Sequence, residues 1–317
     1  MQPTPINFRT GIYIMKLFKQ KTTALLIILA VFSLTANAQL KVVTTLTDLK
    51  YITEFIGGDK VEVFAIATGY QNPHFVDPKP SYILKLAHAD LFVTVGLDLE
   101  TGWVPPLLNS ARNQKIQKGG EGYIDASVNV PLLQVPSNVN RGEGDIHIYG
   151  NPHYWLDPLN GKIIAQNIAD GLIKLDPSNK NLFLANLKKF DDQIDAKMKE
   201  WSAKMATLKS SKIMAYHNEW VYFEKRFKLE IADFLEPKPG IPPTPSQLAK
   251  IINEMKRDKI GIITPPPYFT TESADLVARN TGGKVLVLAT SVGAFDQVKT
   301  YFDLFDYNVN LFLSASK

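Results

Sequence analysis

The sequence of 317 residues contains no cysteine. This absence excludes disulfide bonds, metal sites with thiolate ligands and a lipid attached to a cysteine. Histidine is also scarce, with five in the chain, so any metal site here must use nitrogen and oxygen ligands. The hydrophobic fraction is 45 %, which is enough for a real core, and the length allows one large domain or two modest ones.

A hydrophobic run long enough for a comfortable membrane span is also missing near the N-terminus. Three lysines between residues 16 and 21 precede a short apolar core over 24–35, and an A-x-A motif follows at 36–38. This pattern predicts a cleaved signal peptide over 1–38, with residues 1–14 as an N-terminal extension. We therefore expect a soluble, exported protein in a periplasm-like compartment; a retained N-terminal anchor is the alternative.

An excess of charge is absent once that leader is set aside. The full chain has 35 lysines and arginines against 31 acidic residues, and residues 1–38 hold four of the basic residues and no acid. The predicted mature protein is therefore neutral, and the isoelectric point near 8.9 belongs to the precursor. This balance gives no support for a nucleic-acid or anionic-membrane partner.

Short β-rich runs alternate with helical patterns, which favours parallel sheets with helices on their faces. The predicted strands are 41–46, 61–67, 91–95, 213–216, 231–235, 260–263 and 284–289. The predicted helices between them are 47–57, 80–88, 158–174, 246–257 and 271–281, and a last packing helix is predicted at 297–313.

One longer helix is predicted from Asp176, a good N-cap followed by proline, to about Lys209. Its apolar residues recur at steps of three and four, as on one helix face. We interpret it as a rigid strut in an α/β fold of two lobes with parallel-sheet cores; a coiled-coil dimer is the alternative. The predicted domains are an N-terminal lobe at 39–175, the interlobe helix at 176–210 and a C-terminal lobe at 211–317.

Two of the five histidines stand in matching motifs, NPHFVDP at 72–78 and NPHYWLDP at 151–158. His74 comes after a predicted strand, and His153 precedes a predicted helix. His217 stands at the end of the predicted strand 213–216. Ligands of open α/β sheets bind outside the carboxyl ends of strands, so these histidines can converge in one cleft. The repeated motif is either a duplicated structural turn or two parts of one metal site.

Neutral imidazole suits zinc and other first-row divalent ions, and three imidazoles need water or a carboxylate as a fourth ligand. Asp77 and Asp157 are predicted helix caps that can also orient the imidazoles by accepting hydrogen bonds from them. His88 lies in a helical run and is interpreted as structural. His147 lies in a polar loop, where it is either solvated or a weak metal contact.

The sequence resembles the zinc/manganese periplasmic-binding family, the metal-binding solute-binding proteins of ABC transporters, over nearly all of the predicted mature chain. NPHFVDPKPSYILKLAHADLFVTVGLDLE resembles the segment of the family's first histidine, and NPHYWLDP, the most specific match, resembles its second-histidine motif. KIMAYHNEWVYFEKRFKLE resembles the third-ligand segment. PTPSQL and ITPPPYFTTESADLVARNTGGKVLVL resemble parts of the C-terminal lobe.

This resemblance implies that His74, His153 and His217 are the metal ligands. Manganese-type members often carry glutamate at the third place, so a histidine at 217 favours Zn²⁺, with Mn²⁺ as the second candidate. The family's fourth ligand is an aspartate before a Tyr-Asn pair, and Lys299 occupies that place here. Asp296, one turn away, and a water molecule are the replacements considered, with Glu219 as a third.

The implied function is that of a monomeric, non-enzymatic solute-binding protein. It would capture the cation in an interlobe cleft and deliver it to an ABC permease in the inner membrane. The alternative is a zinc-dependent hydrolase with three histidines and a bound water, in which Glu219 acts as the base. The sequence contains no H-E-x-x-H motif, nucleophile elbow or phosphate loop, and no repeat or stalk that supports adhesion.

Overall fold

The computed structural model describes residues 39–137 and 147–315. The predicted signal peptide and N-terminal extension lie outside this part of the chain. Within it, no helix combines the length and the apolar content that crossing a membrane requires.

All seven predicted strands are present in the described residues, together with one strand that was not predicted. The strands are β1 (Leu40–Thr44), β2 (Val61–Ala65), β3 (Leu91–Thr94), β4 (Tyr123–Asp125), β5 (Lys212–Ala215), β6 (Glu230–Phe234), β7 (Ile262–Thr264) and β8 (Lys284–Val285). Strand β4 was not predicted, because three residues are too few to show a period. Strand β8 is shorter than the predicted run 284–289.

The predicted helical segments are all helical, and two short helices accompany them. The helices are α1 (Thr47–Gly57), α2 (Pro80–Ala87), α3 (Val104–Ala111), α4 (Pro158–Leu175), α5 (Lys180–Met205), α6 (Val221–Phe227), α7 (Pro245–Asp258), α8 (Glu272–Thr281) and α9 (Tyr301–Ala315). The prediction lacked α3 and α6. Two prolines in the first turn of α3 disguise its pattern, and α6 is barely two turns long.

The strands form two four-stranded sheets with the same parallel topology. Their orders are β2-β1-β3-β4 and β6-β5-β7-β8, and every neighbouring pair is parallel. In each sheet the chain direction across the strands reverses next to the first strand, β1 or β5. This reversal opens a crevice at the carboxyl ends, which is where ligands bind in such sheets. The two-lobed α/β fold with parallel cores is therefore confirmed.

The long helix α5 connects the two sheets. It begins three residues later than predicted, because Pro177–Asn179 form a 3₁₀ turn after Asp176. Its buried face consists of Phe183, Leu187, Phe190, Ile194, Trp201 and Met205. Because this face is covered by helices of the same chain, mainly α1, α4 and α9, a coiled-coil partner is not needed to bury it.

The last helix, α9, follows the second sheet but packs on helices of the first half. Phe302 lies 5.4 Å from Phe190 and 6.2 Å from Phe55, measured between ring centroids. The hydroxyl of Tyr301 donates a hydrogen bond of 2.5 Å to the carbonyl of Trp155. The helix therefore fastens the two halves together. The lobe limits at 175/176 and 210/211 remain predictions.

Candidate metal centre

His74 lies in the loop after β2, and its turn is built by the residues before it. The side-chain oxygen of Asn72 accepts a hydrogen bond of 3.0 Å from the His74 backbone N–H. The carbonyl of Pro73 accepts another of 3.0 Å from the indole of buried Trp103. The asparagine and the indole thus fix the backbone that carries the first imidazole.

His153 is buried, with 2 % of its surface exposed, and Asn151 sets its orientation. The Asn151 Oδ1 atom accepts from the His153 backbone N–H at 3.0 Å and lies 3.0 Å from the ring Nδ1. Because that oxygen can only accept, Nδ1 carries the proton and Nε2 keeps its lone pair. The asparagine therefore selects the tautomer that presents Nε2 to a metal.

The matching NPH motifs are matching turns. In both, an asparagine two residues before the histidine accepts its backbone N–H at 3.0 Å. The sequence interpretation did not assign this positioning role to Asn72 and Asn151. The signal was present, since the asparagine stands at the same offset in both motifs.

His217 follows β5, and its ring is held by Glu236, which follows β6. The Nδ1 atom lies 2.8 Å from the Glu236 carboxylate, and both residues are buried. The parallel register pairs Ala215 with Phe234, so residues two positions beyond each strand end are neighbours. A carboxylate on Nδ1 directs Nε2 toward a metal and makes it more basic. The sequence interpretation missed Glu236, because finding it requires the strand pairing.

The three predicted ligands converge. One donor nitrogen from each of His74, His153 and His217 lies within 4.8 Å of the other two. The Nε2 atoms of His74 and His153 are 3.1 Å apart. The ring centroids of the three pairs are separated by 5.1, 5.5 and 5.4 Å.

These distances fit one tetrahedral ion. With metal–nitrogen bonds of about 2.0–2.1 Å, tetrahedral geometry puts two donor nitrogens about 3.3 Å apart and two ring centres about 5.2 Å apart. The observed separations are within a few tenths of an ångström of both values. The three rings can therefore form one face of a coordination tetrahedron.

The electrostatics of the cleft keep the ligands in the form that binds metal. Burial lowers the pKa of His74 well below its usual value, and the neighbouring His217 and His147 lower it further. Burial likewise lowers the pKa of His153, with contributions from the same cluster. Both rings are thus neutral at pH 7, and a neutral imidazole can ligate without first losing a proton.

The aspartates predicted to ligate the metal or to orient the imidazoles are either exposed or hydrogen-bonded to other groups. Asp296 is exposed, and it does not belong to the convergent group within the described part of the chain. Asp77 is also exposed, and it is not a cap, because α2 begins at Pro80 after Lys79. Asp157 does cap α4, accepting from the Leu159 N–H at 2.9 Å, and its other partner is Arg226. The imidazoles are held by Asn151 and Glu236 instead.

Glu219 is a buried carboxylic acid near His217. The hydroxyl of Tyr268 donates to its Oε2 at 2.6 Å, while its Oε1 has no hydrogen-bond partner among the described residues. Burial raises the pKa of Glu219 to about 7, against the opposing influence of His217. An acid half protonated near pH 7 is an uncommon neighbour for a histidine cluster.

The two remaining histidines, His88 and His147, differ in their distance from the convergent group. His88 is exposed at the C-cap of α2, outside the convergent group. His147 lies beside the group, with its ring centroid 5.1 Å from that of His74 and 6.4 Å from that of His153.

Comparison with known proteins identifies the family of the chain and agrees with its fold. Residues 42–315 match the family described as zinc-uptake complex component A, periplasmic. The manganese ABC transporter substrate-binding lipoprotein PsaA of Streptococcus anginosus is 30 % identical over 246 residues, covering 76 % of this chain and 75 % of that protein. The metal ABC transporter substrate-binding lipoprotein SsaB of Streptococcus sanguinis is 29 % identical over 287 residues, covering 86 % and 88 %.

A solved structure shares the fold. The crystal structure of ZnuA superposes with a TM-score of 0.76 at 24 % identity, covering 88 % of this chain and all of that one. The match to the family extends over both sheets and the long helix between them. The chain belongs to this zinc-uptake component A family, and it is a substrate-binding protein of a metal ABC transporter rather than an enzyme.

Proposed function

We propose that the protein binds one Zn²⁺ ion through the Nε2 atoms of His74, His153 and His217 and delivers it to an ABC permease in the inner membrane. The observation that carries this proposal is the convergence of three donor nitrogens within 4.8 Å. Each ring comes from a different segment: His74 follows β2, His153 precedes α4 and His217 follows β5. The rings of His153 and His217 are fixed by hydrogen bonds at Nδ1. The site is thus preorganised for a cation before one arrives.

Zinc is favoured over manganese by the donor atoms. The convergent group consists of imidazole nitrogens, and Mn²⁺ prefers oxygen donors while Zn²⁺ accepts nitrogen readily. The relative named as a manganese protein leaves Mn²⁺ as the second candidate cargo. The relative affinity for the two ions therefore decides the assignment.

The proposed setting is a soluble monomer in the periplasm after cleavage of the signal peptide at residue 38. The sequence contains no cysteine for a lipid anchor, although the similar streptococcal proteins are named lipoproteins. The long helix α5, buried along one face, restricts the movement of the two sheets to a small hinge motion. Release then requires docking on the permease, which favours the arrangement that binds the ion less tightly.

Titration calorimetry of the chelator-stripped protein with Zn²⁺ and Mn²⁺ tests this function. We expect one tight zinc site in the wild type and much weaker binding in His217→Ala. The matched control is His88→Ala, which removes an exposed histidine outside the cluster. A protein without a saturable site, or one equally affected by both substitutions, would reject the proposed ligands. Tighter binding of Mn²⁺ than Zn²⁺ would reject the proposed cargo.

A further inference from the structure

The three convergent histidines leave one corner of the tetrahedron without an assigned donor. Asp296, expected there from the sequence, is exposed and does not belong to the group within the described residues. Besides Glu236, which is engaged by His217, the described residues near the cluster with donor atoms include His147 and Glu219. They differ in burial, since His147 is half-buried and Glu219 is fully buried.

The separation between His147 and His74 matches that expected for two imidazoles on one metal ion. Its ring centroid is 5.1 Å from that of His74, the same as the separation between His74 and His153. A tetrahedral ion with four imidazoles requires about 5.2 Å between ring centres. The separation of 6.4 Å from His153 is therefore about 1 Å too long. A fourth place on the ion therefore requires the His147 side chain to move toward His153.

The backbone of His147 is held close to the site. Its carbonyl accepts from the Gly150 N–H at 3.1 Å, and the Asn151 N–H donates to the Leu133 carbonyl at 2.8 Å. The turn that carries His147 thus leads directly into the asparagine that orients His153. Between them, Ile148 and Tyr149 are 41 % and 53 % exposed, so these two residues of the turn are not packed into the core.

Glu219 is less suited to the open corner. Its donor oxygens are not part of the convergent group, and Oε2 already accepts the hydroxyl of Tyr268. The residue is 1 % exposed, so moving it would require rearrangement of the surrounding core. Its Oε1 atom, without a partner among the described residues, still makes it the competitor to be tested.

We propose that His147 moves onto the bound ion as a fourth nitrogen ligand and completes an all-imidazole site. This inference rests on the proposed binding of Zn²⁺ by the other three histidines. A site with four nitrogen donors favours Zn²⁺ over Mn²⁺ more strongly than one with three nitrogens and an oxygen. It also leaves no corner for a water molecule, which is what a catalytic zinc requires.

X-ray absorption at the zinc edge counts the imidazole ligands in the zinc-loaded protein. We expect four in the wild type, in His88→Ala and in Glu219→Gln, and three with one oxygen in His147→Ala. We also expect His147→Ala to bind zinc more weakly by at least the roughly 10- to 100-fold that loss of a ligand's supporting partner costs. Its affinity for Mn²⁺ is expected to change less, so the ratio of the two affinities falls.

Other outcomes overturn the inference in distinct ways. Three imidazoles and an oxygen in both the wild type and His147→Ala would show that His147 does not ligate. Loss of one light-atom ligand in Glu219→Gln would assign the corner to the glutamate. Absence of any tight zinc site in the wild type would reject the proposed function itself, and the fourth ligand with it.

Discussion

The guanidinium of Arg226 donates two parallel hydrogen bonds, each of 2.7 Å, to the carboxylate of Asp157. Asp157 is the aspartate of the second NPH motif, and it caps α4. Arg226 lies on α6, which begins four residues after His217. The pair therefore joins the segment that presents His153 to the segment that presents His217. Side-chain exposure is 10 % for the aspartate and 32 % for the arginine, so the contact is partly shielded from water.

Removal of this contact is expected to destabilise the fold. Arg226→Ala leaves a nearly buried carboxylate without its main partner, which costs about 1–3 kcal/mol in the free energy of unfolding. Arg226→Lys should recover only part of the loss, because an ammonium cannot make the two-pronged contact. Denaturant unfolding of the metal-free protein measures this. The control is Arg257→Ala, because Arg257 is itself exposed and its partner Asp258 is its chain neighbour. Equal losses in both variants would contradict the expectation.

The Glu236 carboxylate is expected to control metal affinity through His217. Glu236→Gln keeps the shape of the side chain but removes the charge that makes Nε2 a stronger donor. We expect zinc affinity to fall about 10- to 100-fold, as is usual for loss of a partner behind a metal ligand. Competition with a chelating dye measures the change. Asp233→Asn, which alters an exposed ion pair with Lys250, should leave the affinity unchanged. An affinity like that of wild type in Glu236→Gln would mean that the carboxylate only packs there.

Acid is expected to destabilise the metal-free protein through its buried histidines. Burial lowers the pKa of His74 and His153 in the folded protein. Below pH about 6.5 these two histidines therefore bind protons in the unfolded chain but stay neutral in the folded one. Each of these rings therefore removes up to about 1.4 kcal/mol of stability per pH unit as the pH falls from about 6.5 toward its folded pKa.

A difference measurement isolates this effect from opposing groups. Burial raises the pKa of Asp48 to about 6 and that of Glu100 to about 7, so these acids stabilise the fold at low pH and lose that contribution as the pH rises. Comparison of wild type with His74→Gln cancels them. The stability advantage of the wild type should shrink as the pH falls below about 6.5. Parallel pH profiles for the two proteins would show that His74 is not protected from protonation.

A methyl group at Gly161 is expected to disturb the packing behind the second motif. A Cβ there would lie 2.5 Å from the buried ring of Tyr301, whose hydroxyl holds the carbonyl of Trp155. The strain should exceed the roughly 1 kcal/mol that alanine gains in a helix, for a net loss of about 1–3 kcal/mol. Gly261→Ala is the control, since nothing lies within 4 Å of its Cβ position. Thermal unfolding of both variants checks this, and a stabilised Gly161→Ala would show that the ring moves aside freely.

The sequence predicted those features that depend on local patterns. The strands before His74 and His217 have clear apolar runs, and a ligand at the carboxyl end of a parallel sheet follows from the fold class. The predicted convergence of three histidines therefore agrees with the structure. Glu236 escaped prediction because only the neighbour relation of β5 and β6 brings it to His217.

Asp296, considered from the sequence as a fourth ligand, is exposed and stays a prediction. It lies in an irregular segment between β8 and α9, where no period indicates which side chains point inward. The segment is positioned by long-range contacts, such as the hydrogen bond from the Val292 N–H to Asp48, which no local pattern encodes. Spacing from a sequence motif could not reveal that Asp296 would be exposed.

The packing of α9 on the first half of the chain also bears on how the protein folds. Thr47 and Val292, linked by a hydrogen bond of 2.6 Å, are separated by 245 residues, and Tyr301 and Trp155 by 146. Closing such long loops costs chain entropy before the contacts can repay it, which slows folding. The first sheet and its helices cannot complete their core until the end of the chain has emerged. The core of the nascent protein therefore stays incomplete, and its second histidine turn lacks the contact with Tyr301, until synthesis is almost over.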